Sequence, residues 1–230
     1  MGQHGPPGGR CAEPEPRPEM QVFHIRMADS ARRREAASIL IRKMYGWRGY
    51  AIEPSLFQEA SKITLYAETG GAVVATMSLC LDSPIQLPAD ENFRDVLDRL
   101  RVAGRRLCEP SRLAIDKGVT KRVFAALIHT AYLYARVVHR CSDCVIEVNP
   151  RHVMFYQRML GFEGVGAERP CTRVGAPAVL LRLPLERMGE QIGTLGECIG
   201  QHGEERSFYP NFFPASDEPG ITGRLRAGLD

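Results

Sequence analysis

Leu107-Cys108-Glu109-Pro110-Ser111-Arg112-Leu113-Ala114-Ile115-Asp116 is an apolar run that carries two opposite charges. Turn-prone Asp116-Lys117-Gly118 ends it, and the most regular amphipathic stretch of the chain, Lys121 to Val138, comes next. There Val123, Phe124, Leu127, Ile128, Ala131, Tyr134, Ala135 and Val138 recur at the 3.6 period of a helix. A strand, a tight turn and a helix form a seat for an anionic group, because the first helical N–H groups have no internal partner. The charged pair is the anomaly. Period 2 puts positions 109 and 112 on opposite faces of a strand unless a bulge lies between them. Pro110 is compatible with a bulge or an edge position.

The rest of the chain sets ordinary bounds. Its 230 residues suffice for one core with appendages. A hydrophobic share of 44% and a charged share of 25% are those of a globular protein. The net charge of +3 is too mild to argue for nucleic acid. No run reaches membrane-spanning length, and the N-terminus lacks the pattern of a secretory signal. Seven cysteines at irregular spacing suit a reducing cytoplasm better than a disulfide framework.

Residues 1–20 are rich in Gly, Pro, Glu and Arg and read as a disordered leader. Gln21–Arg26 reads as a strand. Asp29 or Ser30 caps a basic helix to about Tyr45, with Ala36, Ile39, Leu40 and Met44 inward. Its arginines make either a solvated face or a dock for an acidic partner. Ile63–Glu68 and Ala72–Leu81 pair as a hairpin through Thr69-Gly70-Gly71. Asp90 caps a helix to about Arg106, with Phe93, Val96, Leu97 and Leu100 inward. Cys144–Val148 is a strand ended by Asn149-Pro150, and a short helix follows to Leu160 with Gly161 as its cap. Phe162–Gly166 and Ala178–Leu185 read as the last strands, with Arg169-Pro170-Cys171 in the loop between them. Residues 186–206 read as a short helix and linker. Phe208-Tyr209-Pro210-Asn211-Phe212-Phe213-Pro214 is too aromatic for a free tail and is expected to fold back before a short C-terminal helix.

Glu-x-Ser-Arg-Leu-Ala-Ile-Asp, a helix, a strand ending in Asn149-Pro150, and a Phe155-Tyr156 helix closing on Leu160-Gly161-Phe162-Glu163 together resemble the GNAT acyltransferase fold. Within it the chain is most similar to N-acyl amino acid synthases, relatives of the acyl-homoserine-lactone autoinducer synthases. The resemblance covers roughly Asp29 to Leu185. It implies an α/β fold, a central mixed sheet flanked by helices, with two splayed central strands. It also implies a domain over 21–185 and an extension over 186–230 that packs back on it. The splayed strands would be Leu107–Ile115 and Cys144–Val148. An acyl thioester inserts between them, and a backbone N–H near Leu113 or Ala114 polarises its carbonyl.

Amide formation needs an activated acyl group, a neutral amine and donors for the oxyanion. The candidate base is Glu109, since a partly buried carboxylate can have its proton affinity raised toward neutrality. The plain alternative is a structural Glu109–Arg112 ion pair. Arg112 could instead grip an amino acid's carboxylate as a bidentate fork. Tyr156 stands where the fold often has a general acid for the departing thiol, or is plain core. Asn149 either bonds a pantetheine arm or serves turn chemistry, and Trp47 and Phe155 are further substrate-binding candidates. Acyl-CoA users of this fold carry a Gly-rich pyrophosphate cradle before the long helix; here Gly118 stands alone. Lys117, Lys121 and Arg122 cluster there instead and suit the single phosphate of a carrier-protein pantetheine, and the arginine-rich helices, with Arg101, Arg105 and Arg106, suit an acidic acyl carrier protein. Cys141-Ser142-Asp143-Cys144 lacks the ligands of a zinc site, so no metal and no bound cofactor are expected.

The expected activity is transfer of a long-chain fatty acyl group from acyl carrier protein to an amino acid's α-amine, in the cytoplasm. The alternatives are an acetyl-CoA-dependent N-acetyltransferase of the same fold and a non-catalytic acyl-binding module.

Overall fold

A computed structural model describes residues 22–46, 62–173, 175–196 and 207–228. Its strands are β1 (His24–Met27), β2 (Lys62–Thr69), β3 (Ala72–Leu81), β4 (Leu107–Ile115), β5 (Asp143–Val148), β6 (Glu163–Gly164), β7 (Arg169–Cys171) and β8 (Ala176–Pro184). They form a mixed sheet in the order β1-β2-β3-β4-β5-β8-β6, and β7 also pairs with β8. The β4–β5 contact is parallel and the other ladders are antiparallel. The stretch Arg169-Pro170-Cys171, expected in a loop, is therefore a short strand. Its register sets Pro170 against Pro177, and it needs only β8 as a partner.

The β2–β3 hairpin turns at Gly70 and Gly71, with φ of 56° and 79°. Two left-handed residues in sequence are what a tight hairpin turn requires and what glycine supplies without a Cβ clash.

The helices are α1 (Ala31–Gly46), α2 (Asp90–Val102), α3 (Lys121–Tyr132), α4 (Val153–Leu160), α5 (Leu185–Gly196) and α6 (Glu218–Ala227). The Ser30 hydroxyl accepts the Arg33 N–H at the start of α1. The inward positions of α1 are Ala37, Ser38, Leu40 and Ile41, whereas Ile39 is 58% exposed. The inward face is thus rotated from the expected set: Leu40 belongs to both, and Met44, partly buried, also packs on the Leu40–Ile41 cluster. Helix α2 stops at Val102, short of Arg106, and the chain turns at Gly104 with φ of 75°. Asp90 lies inside its first turn rather than capping it. One Asp90 oxygen accepts the Leu87 N–H at 2.8 Å, and both oxygens accept from Arg101. Helix α3 runs on into a π-helical turn, Leu133–Val138. It is buried well beyond the expected stripe, with Ala125, Ala126, His129, Thr130 and Leu133 also covered.

The sheet separates two apolar layers. On the α2 side Phe93, Val96 and Leu97 pack on Cys80, Leu107, Val145 and Leu180. On the α3 side Val123, Phe124, Leu127 and Ala131 pack on Met77, Cys108, Ile146, Leu181 and Leu183. Alternate residues of β4, β5 and β8 thus serve opposite layers, the pattern of central strands covered on both faces.

Residues 207–228 belong to the α3-side layer. Phe208, Tyr209 and Phe212 are buried there, with the Phe208 ring 4.6 Å from that of Phe124. The Tyr209 hydroxyl donates to the Leu160 carbonyl at 2.6 Å. The Phe213 N–H donates to His129 Nδ1 at 3.1 Å. Burial lowers the His129 pKa to about 4, so the ring is neutral and Nδ1 has a lone pair to accept that bond.

Candidate active site

The site is built where β4 departs from a regular strand. Along the β3–β4 ladder Ser78 faces Ser111, and Thr76 faces Ala114. Two residues of β4, Arg112 and Leu113, therefore stand against the single Met77, which defines a bulge. Arg112 takes φ of 52°, a left-handed conformation uncommon outside glycine. The ladder is regular from Glu109 to Ser111 and the bulge begins at Arg112, so Glu109 and Arg112 serve opposite faces of the sheet.

On its other side β4 pairs with β5 only at Leu107–Asp143 and Cys108–Cys144. Both strands continue, to Ile115 and Val148, without further pairing to each other. Pro110 has no N–H to donate to a ladder, and the bulge bends β4 away. The two central strands part like the arms of a V.

A cavity of about 160 Å³ opens on the α3 face of that gap. Its walls include Met77, Leu79, Cys108, Pro110, Cys144 and Ile146 from the sheet, and Ile128, Ala131 and Tyr132 from α3. Ser111, Arg112 and Leu113 of the bulge line it, as does Tyr156 of α4. Tyr45 closes one side and donates through its hydroxyl to the Leu113 carbonyl at 3.2 Å. Burial, with Tyr45 and Cys144 nearby, pushes the Tyr156 hydroxyl up to about 12, so it keeps its proton at neutral pH.

Glu109 serves the opposite face. It lies two residues beyond Leu107, which packs in the α2-side layer, and its Oε2 accepts the Ala89 N–H at 2.8 Å. The carboxyl is 3% exposed. Burial pushes its pKa up to about 8. The Ala89 bond and Arg173 oppose that rise, whereas Glu147 and Asp90 add to it. The hydrogen bond found for Glu109 comes from Ala89, on the side of the sheet away from the cavity that Arg112 lines. Glu147, on β5, accepts from Asn92 Nδ2 at 3.0 Å and pairs with Arg173. Arg173 also reaches Glu91, with its Nε 3.2 Å from Glu91 Oε2. Glu147 could have been noticed in the sequence by the same signal as Glu109, a charge within an apolar strand. Arg173 carries no such mark, because it stands in a polar loop.

The other candidates divide. Arg112, Leu113 and Tyr156 come together at the cavity, and Ala114 is the first residue back in register after the bulge. Phe155 is 43% exposed outside the cavity, where its ring meets Phe124 and Phe208. Asn149 accepts the Arg151 N–H and donates to the Pro177 carbonyl, which fixes the turn after β5. Trp47 lies outside the described residues. Lys117, Lys121 and Arg122 are exposed together where β4 hands over to α3. Arg105 and Arg106 are exposed at the other end of β4. Nine strand residues separate the two groups, roughly 30 Å at about 3.3 Å each, so they do not form one patch. Arg101 is only 25% exposed and is engaged by Asp82, Asp90 and Asp98. It is a structural cation rather than part of a docking face.

Among the described residues no group of three or more His, Cys, Asp or Glu side chains is arranged to hold a metal ion. Cys80, Cys108, Cys141, Cys144 and Cys171 are all buried, and none of them is in a disulfide.

A mixed sheet with one splayed parallel pair, a bulge at the split and a cavity beneath it define an N-acyltransferase of the GNAT fold. The chain belongs to the N-acyl amino acid synthase FeeM family, whose profile matches residues 36–184. Its structure is similar to that of FeeM, an N-acyl amino acid synthase from uncultured soil microbes, with a TM-score of 0.66 and 27% identity. That match covers 74% of this chain and 94% of the other. More distant likeness, showing the fold alone, extends to the AHL synthase LasI, with a TM-score of 0.51, 14% identity and 72% and 91% of the two chains covered. It extends also to a probable acetyltransferase from Staphylococcus epidermidis, at 0.53, 13%, 71% and 99%. A comparison with the curated proteins finds no match.

Proposed function

We propose that this enzyme joins a long-chain fatty acyl group, carried as a thioester on acyl carrier protein, to the α-amine of an amino acid. The observation that carries the reading is the gap between β4 and β5, with an apolar cavity on one face and the buried carboxyl of Glu109 on the other. In this reading the acyl chain enters the first and the amine approaches the second, and they meet at the bulge. Residues 21–185 are the transferase domain in this reading and 186–230 its extension. The setting is the cytoplasm, which keeps thiols reduced.

The chemistry then runs on this chain's own groups. Glu109 takes a proton from the α-ammonium, and a pKa of about 8 leaves it basic enough to do so near neutral pH. The freed nitrogen attacks the thioester carbonyl carbon. The oxyanion accepts a hydrogen bond from a backbone N–H of the bulge, at Leu113 or Ala114. The C–S bond breaks, the departing sulfur takes the phenolic proton of Tyr156, and the phenolate recovers a proton from the nitrogen, which becomes the neutral amide. Arg112 offers a fork of donors for the amino acid's carboxylate.

Gly118, with φ of 81°, gives the turn into α3, and Thr120 makes no side-chain cap there. The first N–H groups of α3, with Lys117, Lys121 and Arg122, would hold a pantetheine phosphate. Apolar space of about 150 Å³ accepts a ring of six carbons, so a long chain requires the walls to give. Met188, unbranched and flexible, lines the cavity and is suited to move.

Purified protein should turn over long-chain acyl carrier protein far faster than acetyl-CoA. Mass spectrometry of lipid extracts from expressing cells should show an acylated amino acid. Efficient acetyl transfer without carrier-protein activity would overturn the reading in favour of an N-acetyltransferase.

A further inference from the structure

A second cavity, of about 710 Å³, lies on the other side of α3 from the acyl cavity. It is bounded by β1 and the start of α1 on one side and by α6 on the other. Thr130 of α3 looks into it, whereas the adjacent Ala131 looks into the acyl cavity. Most of its wall comes from Phe23–Met27 and from Phe213–Gly228, which lie outside the family-matched residues 36–184.

Its lining is apolar at the floor and cationic at the rim. Phe23, Ile25, Leu65, Phe213, Ile221 and Leu225 supply the apolar part. Three guanidiniums face it, those of Arg26, Arg33 and Arg224. Arg33 is matched by Asp29 at 2.6 Å. Among the described residues no carboxylate lies within ion-pairing distance of Arg26 or Arg224. Asp217 brings one negative charge to the same cavity. The unmatched balance is about one positive charge, which suits a monoanion better than a phosphate dianion. The volume falls in the range of small-molecule sites, roughly 300–1,000 Å³.

We propose that this cavity binds an amphiphile with one long apolar chain and one carboxylate, the carboxylate resting on Arg26 and Arg224. Two sources share that chemistry, a free fatty acid and an N-acyl amino acid with its α-carboxyl free. The second is the product of the proposed reaction, so that assignment rests on the proposed function, whereas the site itself does not.

The test is equilibrium dialysis of the full chain against radiolabelled palmitate and, separately, N-palmitoylglycine, with sites counted per chain. The wild type should bind palmitate at two sites. Arg26→Glu/Arg224→Glu should lose one site, or weaken it at least about tenfold. Ile146→Trp, which fills the acyl cavity, should keep the site that the arginine variant loses. Both arginines are exposed, and Arg26→Gln/Arg224→Gln is the milder substitute if charge reversal prevents folding. Unchanged binding in the arginine variants, or a single site abolished by Ile146→Trp, would overturn the proposal. Equal affinity for the two ligands assigns the site to fatty carboxylates in general, and preference for N-palmitoylglycine assigns it to the product. If the wild type transfers no acyl group yet the arginine-dependent site persists, the proposed function fails and this site stands.

Discussion

Glu109 Oε2 accepts a 2.8 Å hydrogen bond from the N–H of Ala89, twenty residues earlier in the chain. The bond joins β4 to the connection before α2 and fixes the direction of a buried carboxyl. One N–H donor stabilises the ionised form, but burial acts more strongly, and the balance is a pKa of about 8.

If Glu109 is the base, Glu109→Gln should lower kcat by roughly 10²–10⁴-fold. The wild-type rate should climb with pH through about 8, as the carboxyl ionises. The variant should lack that limb and recover part of its rate at higher pH, where more of the amine is already neutral. A folded variant with wild-type kcat would remove Glu109 from the chemistry.

The same group predicts a stability trend. An unfolded Glu titrates near 4.5 and the folded one near 8, so between these values the folded state holds the extra proton. Its contribution is complete below pH 4.5 and is lost as pH rises through 8. The melting temperature of Glu109→Gln relative to wild type should therefore rise from pH 4.5 to 8. A difference that stays constant over that window would contradict the raised pKa.

Arg112→Lys should raise KM for the amino acid and leave kcat near that of the wild type, because a point charge cannot replace a two-pronged contact. Steady-state kinetics with the amino acid varied at saturating acyl donor would show it. A fall in kcat at constant KM would assign Arg112 to the reacting atoms instead.

Charge reversal at Lys121 and Arg122 should raise KM for acyl carrier protein, and added salt should weaken the wild type in parallel, since exposed charges are screened within about 8–10 Å. Reversal at Arg106 should have far less effect, because it sits at the far end of β4. Equal effects at both ends would require a carrier contact that spans the sheet.

Tyr209→Phe removes the donor to the buried Leu160 carbonyl and should cost about 1–3 kcal/mol. Phe208→Ala should cost about 3–5 kcal/mol, since that ring fills the α3-side layer against Phe124. Thermal or denaturant unfolding would measure both. If neither variant shifts the transition, residues 207–228 are not part of the folding unit.

The sequence by itself determined most of the elements and, through them, the fold class. The apolar periods of Leu107–Ile115 and Lys121–Val138, the paired glycines 70 and 71 and the cap at Gly161 are local signals, and each is read without knowing its neighbours. It also marked Glu109 and Arg112 as anomalous, because charge in an apolar strand needs a reason. The local pattern left open how that anomaly resolves. Whether Glu109 meets Arg112 or Ala89 depends on a bulge placed by the β3–β4 register and on a connection that packs from twenty residues away. Arg101 reads as surface charge until Asp82 and Asp90 are brought around it. Lys121 and Arg106 read as parts of one docking face until nine residues of strand hold them apart. Charge and hydrophobicity are properties of residues, so sequence shows them; partners and distances are properties of packing, and only the tertiary structure decided those.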